Sequence, residues 1–461
     1  MKGKANLTEG KPGRSMFLFA LPMIIGNLFQ QFYNMADSVI VGNYVGEDAL
    51  AAVGASYSFT TVFIMIAIGG GIGASVLVSQ YLGAGNYAKM KSAAYTFLIA
   101  FGALSVLLAV FGFFWNPVIL RMLDTPDNIF EDAVLYLQIY FAGLPFMFMY
   151  NVLSADFNAL GRSNIPLILL IFSSVLNIIL DLWMVRGLHF GVAGVAIATV
   201  IAQGISAIIS FAVFLRLLLE YAGKTQNGKK EEDGLVSEKI RLFDRGMFIR
   251  GTKIAIPSII QQSIVSIGML LTQSAVNRFG SSALAGYSAA SRLESLCIIP
   301  MIATGNAMST FTAQNLGAGK YDRVKEGYRA ALGIIVIFGV FLIGISRFFS
   351  TPIVEIFVKQ STSPEAFAVG TGYFRFVGLF FSFLGFKAVT DSILRGSGDV
   401  KIYMAANLVN LSIRVLVARL ASPVWGLSFI WYAVPMGWFA NFAISWLRYR
   451  TGVWQQKNLI N

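Results

Sequence analysis

Twelve apolar runs set the terms for this chain, because each is long enough to cross a bilayer and mostly short polar segments separate them. About 20 apolar residues suffice for a helical span, whereas a transmembrane strand shows alternation over roughly ten. The runs lie at about 15–43, 50–79, 92–115, 132–158, 164–185, 190–218, 251–277, 283–312, 327–349, 366–394, 400–420 and 424–447, and they are uniformly apolar rather than alternating. They predict an all-α polytopic membrane protein. Of 461 residues, 56% are hydrophobic and 13% charged, against about 25% charged in a soluble domain. The first run is too long for a signal peptide and lacks an A-x-A-like cleavage site, which predicts a retained helix. With one cysteine, Cys297, no intrachain disulfide exists.

The net charge of +12 fits lysines and arginines that set orientation, rather than a nucleic-acid partner. If the N-terminus is cytoplasmic, loops and tails on that side hold about 25 of the 35 basic residues. The opposite loops hold Arg121, Arg186, Arg278, Arg347, Lys359 and Arg419, and four cations, Arg292, Arg375, Lys387 and Arg414, fall inside spans. That asymmetry predicts a cell-membrane protein with both termini inside. The one long polar segment, 220–250, includes GKTQNGKKEEDG and reads as a cytoplasmic loop.

The chain repeats itself. SQYLGAGNYAKMKSA at 79–93 resembles TAQNLGAGKYDRVKEG at 312–327, and GEDALAAVGAS at 46–56 resembles GSSALAGYSAA at 280–290. Pro22 pairs with Pro257, Asp156 with Asp391 and Gly161 with Gly396, always at an offset of 234 or 235. Six spans per half is an even number, so both halves share one orientation. The prediction is two parallel six-helix lobes related by a pseudo-two-fold axis along the membrane normal. The expected divisions are a tail at 1–14, an N-terminal lobe at 15–219, the loop at 220–250, a C-terminal lobe at 251–450 and a tail at 451–461.

A carboxylate inside a span costs several kcal/mol unless it faces protein or water, so it is a functional candidate by default. Asp37 lies near the far end of the first run, fifteen residues beyond Pro22, which is expected to bend the helix. In SVLNIILDLWMV, Asn177 and Asp181 stand four residues apart, on one helical face. Thr199 follows in the sixth span. Asp37, Asn177, Asp181 and Thr199 offer carboxylate, amide and hydroxyl oxygens, a set that suits sodium, and a buried carboxylate among them suits a proton. The plainer reading is that Asn177 and Thr199 bond neighbouring helices.

The second half does not repeat this set: Thr272, Ser412 and Leu416 stand where Asp37, Asn177 and Asp181 stand in the first. It carries Arg292, Glu294, Arg375, Lys387 and Arg414 instead, for structural pairing or substrate contact. Gln30, Gln31, Tyr33, Asn34, Met65, Phe146, Met149, Gln261, Gln262, Arg292, Glu294 and Arg414 are candidate lining of a substrate cavity. Asp156 and Asp391 are expected to act in capping or lobe closure. The GGGIG run at 69–73 predicts close helix packing, and the LGAG turns at 82–85 and 316–319 predict glycine caps. No H-E-x-x-H or Gly-x-Ser-x-Gly motif occurs, so no enzyme is expected.

These features together resemble the multidrug and toxic compound extrusion (MATE) family. The resemblance covers about residues 10–450 and rests on the two halves, ALP…LFQQFYNMADSVIVG, the paired LGAG turns, the long central loop and LRGSGD at 394–399. It implies that Asp37, Asn177, Asp181 and Thr199 match the N-lobe cation positions of the DinF-type prokaryotic branch, and Pro22 that branch's bending proline. The chain departs from the NorM-type branch, which has an acidic residue in the seventh span where Gln261 and Gln262 stand here. The implied activity is a secondary antiporter that exports amphipathic organic compounds against sodium or proton entry. It needs no cofactor beyond the coupling ion and acts as a monomer on small organic substrates in the lipid bilayer, without nucleic acid. The alternative is a flippase for lipid-linked oligosaccharide or another lipid on the same scaffold.

Overall fold

A computed structural model describes residues 7–226, 239–457 and 459–460. The middle of the expected loop at 220–250, residues 227–238, therefore lies outside the described residues, as do residues 1–6 of the expected 1–14 tail. Apolar runs without strand alternation become long helices. In the first half these are α1 (Pro12–Tyr44), α2 (Glu47–Gly83), α3 (Tyr87–Met122), α4 (Asp127–Ala159), α5 (Asn164–Asp181) and α6 (Gly191–Gln226). In the second half α7 (Arg245–Asn277) is followed by α8 (Ser281–Cys297), α9 (Ile299–Gly317) and α10 (Tyr321–Phe348). After the short α11 (Ser350–Glu355) come α12 (Pro364–Gly378), α13 (Phe381–Ser397), α14 (Val400–Leu416), the single turn α15 (Ser422–Trp425) and α16 (Ser428–Arg450).

Among the described residues, ten helical stretches are long and apolar enough to cross a membrane. An eleventh is the pair α12–α13, bent by 50° at its break. α16 is also long enough at 23 residues, but tryptophans, tyrosines and two terminal arginines dilute its apolar character. The chain is an all-helical, multi-pass membrane protein. One 33-residue helix such as α1 reaches about 50 Å, which exceeds a hydrocarbon core of about 30 Å.

Local chemistry explains where helices end and how closely they pack. Both LGAG turns close with a left-handed glycine, Gly85 at φ +71° and Gly319 at φ +70°. The amide of Asn86 bonds Tyr81 O at 3.0 Å and that of Lys320 bonds Asn315 O at 2.8 Å, so orphan carbonyls are satisfied in both halves alike. In the GGGIG run a methyl on Gly73 would meet Gly251 O at 2.7 Å. Only glycine lets α2 approach the first half of α7 this closely.

The described chain forms two compact units, Ile25–Ile259 and Ala5–Ile24 with Ile260–Asn461. α1 and α7 run unbroken through Pro22 and Pro257, yet each belongs to both units, dividing two residues beyond its proline. Within the first unit the start of α7 is anchored on α3: Asp244 N donates to Thr96 Oγ1 and Arg241 N to Ser92 Oγ, both at 2.9 Å. Within the second unit the start of α1 is anchored on α9 and α10. Asn315 Nδ2 donates to Leu7 O at 3.0 Å and Lys320 Nζ to Thr8 O at 2.9 Å, while Arg323 donates to the carbonyls of Leu7, Glu9 and Gly10.

Candidate functional site

In the first unit, α1, α5 and α6 bring Asp37, Asn177, Asp181 and Thr199 to one place. α5 ends on Asp181 and continues as a π-helical turn, Leu182–Gly187. π-turns often accompany functional sites, but this one has a counterpart at Val417–Ala421 in the second half, where the acidic residue is absent. The turn therefore belongs to the duplicated scaffold.

Asn177, at 2% exposure, is the hub. Its carbonyl oxygen would oppose a carboxylate, so the amide stands with nitrogen towards Asp181. Nδ2 then donates to Asp181 Oδ2 at 2.9 Å and lies 2.7 Å from Tyr33 Oη, and Oδ1 accepts from Thr199 N at 3.2 Å. Thr199 Oγ1 donates to Val195 O at 3.0 Å, which leaves its lone pairs directed elsewhere. The Asp37 and Asp181 carboxyls lie within hydrogen-bonding reach of each other. Oδ1 of each is buried and has no hydrogen-bond partner among the described residues.

Two carboxyls this close cannot both stay ionised without a bound cation, and otherwise they share a proton. A monovalent cation would find two carboxylates, an amide oxygen and a hydroxyl here, all hard oxygen donors. Among the described residues, no group of three or more His, Cys, Asp or Glu gathers as a multivalent-metal cage.

An apolar layer covers the polar one. Val41, Val185 and Val195 each stand four residues from Asp37, Asp181 and Thr199, and with Ala49 and Val192 they form one buried cluster. Four residues is about one helical turn, so each element presents a polar residue and a valine on the same face. Tyr136 of α4 packs against this cluster and lies close to both carboxyls. Sequence reasoning missed Tyr136. The available signal was its i, i+4 pairing with Tyr140 on one face of the fourth span.

The other candidates separate. Tyr33 joins the site, whereas Gln30 bonds Asn34 at 3.2 Å on an exposed face of α1. Phe146 is 39% exposed and packs on Gly204, and Met65 and Met149 are half-buried. In the second unit Gln261 is buried, Gln262 half-buried and Arg292 exposed. Glu294 accepts from Tyr373 Oη at 2.7 Å, with Arg414 as its charged neighbour. Gly268, Asn407, Asn410 and Arg414 border a cavity of about 20 Å³, room for about one water.

Of the two roles expected for Asp391, capping or lobe closure, it does not fill the first. It lies inside α13 and pairs with Lys387 at 3.4 Å while accepting from Asn407 and Ser445. The capping reading failed because the closeness of α14 and α16 is invisible in α13's own sequence.

The MatE family's sequence profile matches residues 22–183 and 257–420, one copy in each half. The chain belongs to the MatE family. Its relatives include "Probable multidrug resistance protein YoeA" of Bacillus subtilis (strain 168), 30% identical across 98% of this chain and 96% of that one. "Probable multidrug resistance protein YpnP" of the same organism is 28% identical across 98% of both. A MOP superfamily transporter from Pyrococcus furiosus Vc1 (DSM3638) has the same fold, with a TM-score of 0.86 over 98% of this MatE chain and 99% of its own, at 22% identity.

Proposed function

We propose that this MatE protein is a secondary antiporter that exports amphipathic organic compounds, driven by inward movement of sodium or protons. The observation that carries the reading is the contact between Asp37 and Asp181, with Asn177, Tyr33 and Thr199 around it, inside membrane helices. The names of the relatives, which speak of multidrug resistance, support the substrate class. The Lys/Arg distribution supports a cell-membrane location with both termini cytoplasmic, and the protein acts as a monomer.

The chemistry gives a coupling step. With both carboxyls charged, the site demands water or a cation, and the valine layer cannot close over it. Binding of a proton or Na⁺ removes that demand, so the first unit closes. Bending of α1 at Pro22 carries Asp37 through this change, and the substrate leaves. A ligand shifts such an equilibrium only by its differential affinity for the two states, and Asp37 supplies that difference.

The flippase alternative drew on cations in the second half. Lys387 is paired with Asp391, Arg375 donates to Ser350 and Thr351, and Arg414 is the charged neighbour of Glu294. Most of that charge is thus engaged within the unit, which favours the antiporter.

The test is transport of a fluorescent organic cation in proteoliposomes with sodium and proton gradients imposed separately. Export should follow one gradient and vanish in Asp37→Asn. Gradient-driven export at the parental rate in Asp37→Asn would sink the proposal.

A further inference from the structure

The second unit contains a group of buried side chains that the coupling site does not use. Lys387 and Asp391 of α13 stand one helical turn apart, with Asn407 from α14 and Ser445 from α16 closing around them. Their exposures are 8%, 4%, 2% and 0%. Lys387 Nζ donates to Asn407 Oδ1 at 2.9 Å and lies 3.4 Å from Asp391 Oδ2. Asn407 Nδ2 donates to Asp391 Oδ2 at 3.2 Å, and Ser445 Oγ donates to Asp391 Oδ1 at 2.5 Å.

The donor set is carboxylate, carboxamide and hydroxyl. That is the chemistry of Asp181, Asn177 and Thr199 in the first unit, assembled at a different place. The difference is that a cation already stands in it. An ammonium held between a carboxylate oxygen and an amide oxygen occupies the position a small monovalent cation would take. Its tether to α13 means it cannot leave.

The duplication supplies an internal control. At an offset of 235, Asp391 corresponds to Asp156, Ser445 to Ser210, Lys387 to Val152 and Asn407 to Phe172. The first unit thus keeps the carboxyl and the serine and lacks the lysine and the amide. There, both oxygens of Asp156 and the hydroxyl of Ser210 have no partner among the described residues. The lysine and the amide go together, as they must if the amide oxygen serves to hold a cation.

We infer that Asp391, Asn407 and Ser445 form a monovalent-cation site that Lys387 occupies permanently, so that the second unit takes no coupling ion from solution. The inference concerns the second unit and goes beyond the antiporter reading. It predicts that removing the ammonium uncovers an ion site.

The experiment uses the full-length protein in detergent, in an Asp37→Asn background that silences the first site. Lys387→Met keeps the side chain's length and removes its charge. Sodium replaces choline at constant ionic strength. The background protein should show no sodium-dependent Tm. With Lys387→Met added, Tm should rise by about 3 °C or more between about 1 and about 100 mM Na⁺. Equilibrium ²²Na⁺ binding should increase by about one ion per protein. With Asp391→Asn added as well, both effects should disappear.

Folded Lys387→Met protein without cation dependence would overturn the inference, because the carboxyl then takes a proton and recruits no ion. If Lys387→Met fails to fold at any sodium concentration while Lys387→Met with Asp391→Asn folds, the inference is also overturned. Failure of both to fold overturns it too, since the lysine then has a structural task no ion can assume. Failure of the antiporter reading would appear instead as unaltered transport in Asp37→Asn alone, which none of these readings involves.

Discussion

Equivalent positions in the two halves hold opposite chemistry. Around Asn177 the first unit gathers Tyr33, Asp37, Asp181 and Thr199, and the corresponding residues of the second are Gly268, Thr272, Leu416 and Val434. There Thr272 bonds its own helix at Gly268 O, 2.7 Å away, and Leu411 fills the space that a side chain at Gly268 would take. Around Asp391 the pattern reverses: the second unit gathers Lys387, Asn407 and Ser445, and the first has Val152 and Phe172. One backbone plan therefore carries two polar centres at different places. One has carboxyl oxygens without partners, and the other is closed by its own lysine. Charge satisfied within the chain has no need of an ion, whereas an incomplete set of donors does.

That contrast can be broken most directly at Asp37. Asp37→Asn should reduce gradient-driven export to the level of vesicles without protein, while the purified variant keeps its helical circular dichroism. Asp391→Asn should act the other way round. It leaves a buried ammonium without its carboxylate, so stability should fall by about 3–5 kcal/mol, read as a lower denaturation temperature. The ion dependence of export by the surviving protein should be unchanged. A shift in ion dependence equal to that of Asp37→Asn would mean that the two centres share one role.

Asp181→Asn sharpens the comparison within the first unit. It keeps the bond to Asn177 possible but removes one of two charges, and the ion concentration for half-maximal export should rise about tenfold, or about 1.4 kcal/mol. The smallest effect is expected outside both centres, at the start of α7. Asp244 Oδ1 accepts from Met247 N at 2.9 Å. That bond, with the Arg241 guanidinium beside it, holds the Asp244 carboxyl below the usual carboxylate range. Asp244→Ala should cost about 1 kcal/mol. Because the folded-state pKa is depressed, the contribution is present above the ordinary carboxylate pKa and is lost as pH falls through the folded value. The wild-type and Asp244→Ala melting curves should therefore converge in acid.

The first centre was legible to different degrees. Asn177 and Asp181 share a helical face by spacing alone, and Asp37 and Thr199 stand out because polar groups in apolar runs are costly. Tyr33 was visible only as one of several polar residues on α1, and nothing local separated it from Gln30 or Asn34. Tyr136 looked like any aromatic residue in a span. In the second half, Lys387 and Asp391 stand one turn apart in the sequence, but Asn407 and Ser445 lie 16 and 54 residues beyond Asp391.

The sequence by itself determined the helical, membrane-spanning class, the duplication and the confinement of the Asp37–Asp181 acid pair to one half, because span length, periodicity and the cost of a membrane charge are local properties. Only the tertiary structure decided which polar groups meet. It also decided that α1 and α7 each belong to two compact units, dividing just beyond Pro22 and Pro257. Helical periodicity specifies which residues share a face. It does not specify what that face packs against, and the partners of Asp181 and Asp391 are set there.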